Sequence, residues 1–83
     1  MDKNPKKNIT CIIIDDEIEA CDRLESLLNK IPSLKILAKE LKADNGIKAA
    51  LDFYPDIIFL DIEMPDKSGF DVVKAIRREN VFP

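Results

Sequence analysis

Acidic residues directly follow two apolar runs, and their type and spacing could support metal and phosphate chemistry. Asp15 and Asp16 follow residues 11–14, and Asp61 follows residues 57–60. Carboxylates that are held close together repel each other, and a bound cation relieves that repulsion. Mg²⁺ is the best match because it is hard, takes oxygen ligands and keeps several waters. The sequence has no histidine that would favour zinc.

A magnesium site of this kind would suit phosphoryl transfer. A metal ion with open coordination positions can bind phosphoryl oxygens and neutralise charge during the transfer. A carboxylate beside the metal is then a candidate nucleophile, and its attack on phosphorus would give an aspartyl phosphate.

Structural interpretations of the same residues remain open. Asp16 precedes a helical pattern and has Glu19 three places later, so an N-cap would fully explain it. A cap does not explain Asp15, which lies at the end of the apolar run, or Asp61, which lies too far before the next helix. Three further features have ordinary structural explanations: Glu63 as a solvated loop residue, Met64-Pro65 as a chain reversal and Gly69 as a flexible helix start.

The first half of the chain predicts two strands and two helices. Residues 9–14 form a continuous β-branched run, typical of a strand buried on both faces. From Glu17 the apolar residues recur three or four apart, which predicts a helix that ends near Pro32. Residues 34–41 alternate as an edge strand would. A short helix follows, capped by Asp44 or Asn45, with apolar positions Ile47, Ala50, Leu51 and Tyr54 and its end at Pro55.

The second half adds one more strand and one more helix. Residues 57–60 predict another interior strand. Ser68 and Asp71 have the spacing of a capping box at the start of a helix. That helix carries Val72, Val73 and Ile76 on one face and stops near Asn80.

The βαβαβα order predicts an α/β fold with an open, doubly wound parallel sheet and right-handed crossovers. Ligands of such sheets bind beyond the carboxyl ends of the strands. If the first and third strands are neighbours, Asp15, Asp16 and Asp61 therefore converge on one point.

Composition limits the other functions. The chain has 83 residues, of which 46% are apolar and 35% charged, which suits one small domain. Its net charge of −3 is spread along the chain, so we expect no direct nucleic acid contact. The longest apolar runs, residues 11–14 and 57–60, are too short for a membrane span. Residues 1–8 are expected to be a disordered lead, and Cys11 and Cys21 to be core residues in a reducing compartment.

Three stretches together resemble the receiver, or phosphoacceptor, domain of two-component response regulators. They are IIIDDE at 12–17, Pro-Asp-x-x-x-x-Asp at 55–61, and FLDIEMPDKSGFDVV at 59–73. The residues of the first and third stretches also resemble those of the LytR/AlgR branch. The resemblance to receiver domains runs from about Ile9 to Pro83. The resemblance implies a flavodoxin-like (CheY-like) sheet whose three strands have the order 2-1-3.

The resemblance also implies roles for the acidic residues. Asp61 would accept a phosphoryl group from a phosphohistidine of a sensor histidine kinase. Asp15, Asp16, Asp61 and the backbone carbonyl of Glu63 would hold Mg²⁺, or Mn²⁺ in its place. Glu63 would also tune hydrolysis of the aspartyl phosphate. Such a protein is a cytoplasmic bacterial phosphoacceptor that controls an output domain, usually in transcription, rather than an enzyme acting on a separate substrate.

The chain departs from the family pattern in its length. Receivers have five βα units, with a Ser or Thr after the fourth strand and a Lys after the fifth. Residues 9–83 correspond to the N-terminal part of such a domain, and neither Lys67 nor Lys74 matches the lysine. The polypeptide is therefore expected not to switch by itself. We also expect it to form a homo-oligomer that buries the strand edge near Phe59 and the helix face around Val73 and Ile76.

Two alternatives belong to other functional classes. A haloacid-dehalogenase-type phosphatase also uses a strand-end Asp with an acid two places on, as at Asp61 and Glu63. That family, however, has Asp at the second position and carries the motif on its first strand. A receiver-like interaction module that never carries phosphate would keep the packing and lose the acids, which this chain retains.

Overall fold

The computed structural model describes residues 8–64 and 68–78, which form three strands and three helices in alternation. The elements are β1 (Ile9–Ile14), α1 (Ile18–Leu28), β2 (Leu34–Glu40), α2 (Ala43–Phe53), β3 (Ile57–Leu60) and α3 (Gly69–Arg78). This alternation confirms the predicted α/β class. The predicted lead, the reversal at Pro65, Lys67 and the helix end near Asn80 lie partly or wholly outside the described residues. Within them, no helix is long and apolar enough to cross a membrane.

The sheet is parallel and has the strand order β2-β1-β3, as predicted. Ile14, the last residue of β1, is level with Glu40 of β2 and with Leu60 of β3. The residues that follow β1 and β3 therefore lie next to each other at the carboxyl ends of the strands.

The central strand β1 is buried on both faces because helices cover both sides of it. Ile12 and Ile14 belong to the core cluster on the side of α2 and α3, together with Val72 and Ile76. Cys11 and Ile13 belong to a second cluster on the side of α1. The period-two alternation of a strand thus distributes one apolar run between two cores.

Strand β3 lies at one side of the sheet, as the predicted order 2-1-3 requires, although its apolar run is typical of an interior strand. It pairs with β1 alone among the described strands, and its last three residues are only half buried. Ile76 is 1% exposed and already packed in the core, so it cannot form part of an open helix face. Val73 is 38% exposed and remains available for one.

The capping box predicted at the start of α3 is confirmed. The Asp71 N–H donates to Ser68 Oγ over 3.2 Å, and the Ser68 N–H donates to Asp71 Oδ2 over 3.3 Å. The Asp71 carboxylate thus satisfies the Ser68 N–H, while the Asp71 N–H is shared between Ser68 Oγ and the Ser68 carbonyl, which lies 3.0 Å away. The capping box fixes where α3 begins relative to the loop after β3.

The predicted limits of the other two helices were less accurate. Helix α1 ends at Leu28, but Ile31 still donates its N–H to the Leu28 carbonyl over 3.0 Å in a tight turn, which explains why the apolar pattern continues. Helix α2 begins at Ala43 after Lys42, which makes no side-chain cap, so the predicted cap at Asp44 or Asn45 is wrong. Tyr54 was predicted on the apolar face, yet it is exposed and ends the helix in the left-handed region, with φ 48°.

Both cysteines are buried and free, as predicted for core residues. Burial raises the pKa of the Cys11 thiol. Burial, and next the negative charge of Asp15, raise the pKa of Cys21. The thiol of Cys21 donates to the Asp15 carbonyl over 3.4 Å, so it supports the chain at the end of β1.

Candidate functional site

Three carboxylates meet at the carboxyl edge of the sheet. Carboxylate oxygens of Asp15, Asp16 and Asp61 lie within 4.8 Å of one another. Asp15 and Asp61 are half buried, whereas Asp16 is exposed. The structure thus brings together the three residues that sequence spacing placed at the ends of neighbouring strands.

The backbone of the cluster is continuous with the sheet. The Asp61 N–H donates to the Ile14 carbonyl over 3.0 Å, and the Asp15 N–H donates to the Glu40 carbonyl over 3.1 Å. Both aspartates therefore take their position from the strand ladder rather than from a free loop. Rigid elements of this kind hold functional side chains more precisely than loops do.

Asp15 and Asp61 each form the same kind of local turn, which orients the carboxylate. The Glu17 N–H donates to Asp15 Oδ1 over 2.9 Å, and the Glu63 N–H donates to Asp61 Oδ1 over 3.1 Å. Each Asp side chain thus holds the backbone two residues ahead of it, in the pattern of an Asx turn. Our sequence analysis missed this feature, although the repeated Asp-x-Glu after two apolar runs was its visible signal.

The capping interpretation of Asp16 is wrong. The N-cap of α1 is Glu17, and it makes no side-chain hydrogen bond to the helix. The Asp15 carboxylate takes the Glu17 N–H instead, outside the helix. Asp16 therefore has no capping role that would account for a carboxylate within the cluster.

Glu63 is exposed, as predicted for a loop residue, and its contact with the cluster is the backbone N–H bond to Asp61. Its role as a ligand through the backbone carbonyl stays a prediction.

Lys39 on β2 connects the sheet to helix α1. Its ammonium lies 2.7 Å from Glu25 Oε1 and 3.0 Å from Asp22 Oδ1. The hydrogen bonds to Glu25 and then to Asp22 raise the pKa of Lys39. These ion pairs are partly exposed and contribute little to stability individually. They do help to place α1, whose first turn follows the acidic residues.

The donor set suits a hard cation. Three carboxylates supply only oxygen, which Mg²⁺ and Mn²⁺ prefer, and the exposed side of the cluster leaves room for waters. The residues present therefore fit a magnesium ion better than zinc, which prefers nitrogen and sulfur ligands.

Comparison with known proteins agrees with this geometry. Residues 11–83 match the family model of the response regulator receiver domain. The chain is 28% identical over 67 residues to the sensory transduction protein LytT of Bacillus cereus, covering 81% of this chain and 27% of LytT.

Solved structures show the same fold. The response regulator domain of Thermotoga maritima CheB superposes with a TM-score of 0.82 at 25% identity, over 87% of this chain and 54% of that one. The receiver domain of the response regulator NarL from Mycobacterium tuberculosis gives a TM-score of 0.84 at 19% identity, over 89% of this chain and 60% of that one. The chain therefore spans just over half of these receiver structures and about a quarter of LytT.

Proposed function

The chain belongs to the response regulator receiver domain family, and from that premise we propose that Asp61 accepts a phosphoryl group from the phosphohistidine of a sensor histidine kinase. A carboxylate oxygen of Asp61 would attack phosphorus, and the histidine nitrogen would leave. The product would be an aspartyl phosphate at the exposed edge of the sheet. Receiver domains act in two-component signalling, so this reaction would be the input step.

The observation that carries the proposal is the way the chain holds Asp61. Its amide is fixed to β1 and one carboxylate oxygen is fixed by the Glu63 N–H, so the side chain is oriented before any phosphate arrives. Asp15 and Asp16 lie beside it on the neighbouring strand end. Preorganisation of this kind lowers the cost of reaching a reactive geometry.

We propose that Asp15, Asp16 and Asp61 hold Mg²⁺, with the Glu63 carbonyl as a further ligand. When bound, the ion supplies charge neutralisation for the transferred phosphoryl group. The chain itself holds three carboxylates close together, and the bound cation would relieve the repulsion between them. Asp16, the most exposed of the three, would be the most accessible to the incoming ion.

The metal proposal predicts that Mn²⁺ or Mg²⁺ binds weakly to the 83-residue polypeptide. Loss of an outer partner of a metal ligand already weakens affinity about 10–100-fold, so Asp16→Ala and Asp61→Ala should each cost about tenfold or more. Calorimetric titration with Mn²⁺ measures the effect.

The matched control is Glu19→Ala, which removes an exposed negative charge from the first turn of α1 but leaves the cluster intact. Its Mn²⁺ affinity should stay close to that of the unchanged protein. Equal affinities for all four proteins would show that the carboxylates do not hold the ion.

We further propose that the phosphorylated domain controls a transcriptional output domain in the bacterial cytoplasm. This proposal rests on the resemblance to the LytR/AlgR branch and on the similarity to LytT, of which this chain covers 27%. In this proposal the output domain contacts nucleic acid and the receiver segment does not.

Incubation with acetyl phosphate or with a phosphorylated kinase separates the functional classes. The assay requires a polypeptide that carries this segment together with the rest of a receiver, because the family's lysine and hydroxyl positions lie in the later units. A receiver accumulates an acyl phosphate. A phosphatase releases inorganic phosphate continuously, and an interaction module acquires no label. Either of the last two outcomes would contradict the proposal.

A further inference from the structure

Gly69 lies where α3 meets the backbone that carries Asp61. Its N–H donates to the Ile62 carbonyl over 2.7 Å, and the residue is buried. A Cβ atom at this position would lie 2.8 Å from Ile62 Cα and 2.9 Å from the Asp61 carbonyl oxygen. Real Cβ atoms do not approach backbone this closely, so any other residue would force the two segments apart.

The need for glycine here is spatial and not conformational. Among the described residues no glycine has a positive φ, so an L-amino acid could adopt the Gly69 backbone without strain. The interpretation of Gly69 as merely a flexible helix start therefore does not account for it. Alanine is also the better helix former, which would favour the substitution if the space were available.

The contact with Gly69 completes the restraints around the acceptor. The Asp61 amide is held by β1, its carboxylate by the Glu63 N–H, and the Ile62 carbonyl by the Gly69 N–H in the first turn of α3. The capping box of Ser68 and Asp71 fixes the first turn of α3 itself. A displacement at Gly69 would therefore pass directly to the Asp61 carbonyl and to the loop that orients its side chain.

We propose that Gly69 is a positioning residue for the acidic site: by lacking a side chain it lets α3 dock on the Asp61–Ile62 backbone, and this contact sets the orientation of the Asp61 carboxylate and the place of Glu63 beside it. The inference rests on the proposed function of the cluster as a cation site. It goes further by assigning to α3 the control of the geometry of that site.

The test compares Mn²⁺ affinity with stability in the 83-residue polypeptide. Gly69→Ala should weaken Mn²⁺ binding about tenfold, as loss of a supporting partner of a metal ligand does. It should also speed hydrogen exchange of the Glu63 amide, whose bond to Asp61 depends on the loop. Amides in the centre of β1 should stay protected.

The control is Val72→Ala, a cavity in the buried face of the same helix. It should lower the unfolding temperature while leaving the Mn²⁺ affinity of the folded fraction and the exchange of Glu63 unchanged. A purely structural role for Gly69 would instead make the two variants behave alike.

A second variant decides the matter if Gly69→Ala does not fold. Ser68→Ala removes one half of the capping box without adding an atom near Asp61, and it should weaken Mn²⁺ binding to a smaller extent. Unchanged Mn²⁺ affinity in every folded variant, with the original protein binding the ion, overturns the role of Gly69. Failure of the original protein to bind Mn²⁺ overturns the cation site itself.

Discussion

Replacing Asp61 with alanine is expected to abolish phosphorylation from a phosphohistidine donor, in a polypeptide that carries this segment and the rest of a receiver. The reason is the position of Asp61: it directly follows strand β3 beside two further carboxylates, and its side chain is already oriented by the Glu63 N–H. Asp15 cannot substitute for it in the same geometry, because its own carboxylate is oriented by the Glu17 N–H on the neighbouring strand end.

The companion variants give the expected order of effects. Asp16→Ala should slow phosphorylation on the order of 10²–10³-fold, the cost of losing one electrostatic stabiliser of a transition state. Glu19→Ala should leave the rate unchanged. Initial rates of label incorporation measure all three variants. Undiminished labelling of Asp61→Ala would contradict the assignment.

Self-association of the 83-residue polypeptide is the second large effect that we expect. Strand β3 pairs with β1 on one side only among the described strands, and a cavity of about 240 Å³ lined by Ile13, Leu24 and Phe59 opens beside it. An edge strand without charge or proline readily pairs with another chain. The other edge strand, β2, carries Lys35 and Lys39 and is better protected.

Pairing of two β3 strands about a twofold axis would satisfy both edges. Helix α3 would then contribute Val73, but not Ile76, to the contact, because Ile76 is already buried. A domain this small has a low free energy of unfolding, so dimer formation that covers the edge should stabilise it. Its unfolding temperature should therefore rise with protein concentration.

The variant Val73→Lys tests the dimer by placing a charge in the expected contact. It should shift the mass measured by light scattering towards the monomer. Leu27→Lys is the matched control, since Leu27 is an exposed apolar residue on α1, and it should leave the mass unchanged. A monomeric mass for the original polypeptide, with unfolding independent of concentration, would contradict the prediction.

Features determined by short-range patterns could be predicted from the sequence. The β-branched run of β1 is typical of a strand covered on both faces. The acidic residues that follow it then lie at the carboxyl end of that strand. The capping box of Ser68 and Asp71 was also predictable because both partners lie within one helical turn.

Other features depend on competition between partners that a pattern does not reveal. Asp16 resembles an N-cap, but the Asp15 carboxylate takes the nearby backbone N–H first and the helix starts one residue later. The close approach of Gly69 to the Asp61 carbonyl depends on how α3 docks beside the end of β3, so only the folded chain shows it.

Locating the phosphoryl group tests the central claim most directly. A labelled polypeptide is reduced with borohydride, which converts an acyl phosphate of aspartate to homoserine, and the modified position is found by peptide mass spectrometry. We expect the modification at residue 61 and at no other acidic position. Modification at Asp15 or Asp16, or a phosphorylated chain in which Asp61 is intact, would contradict the account.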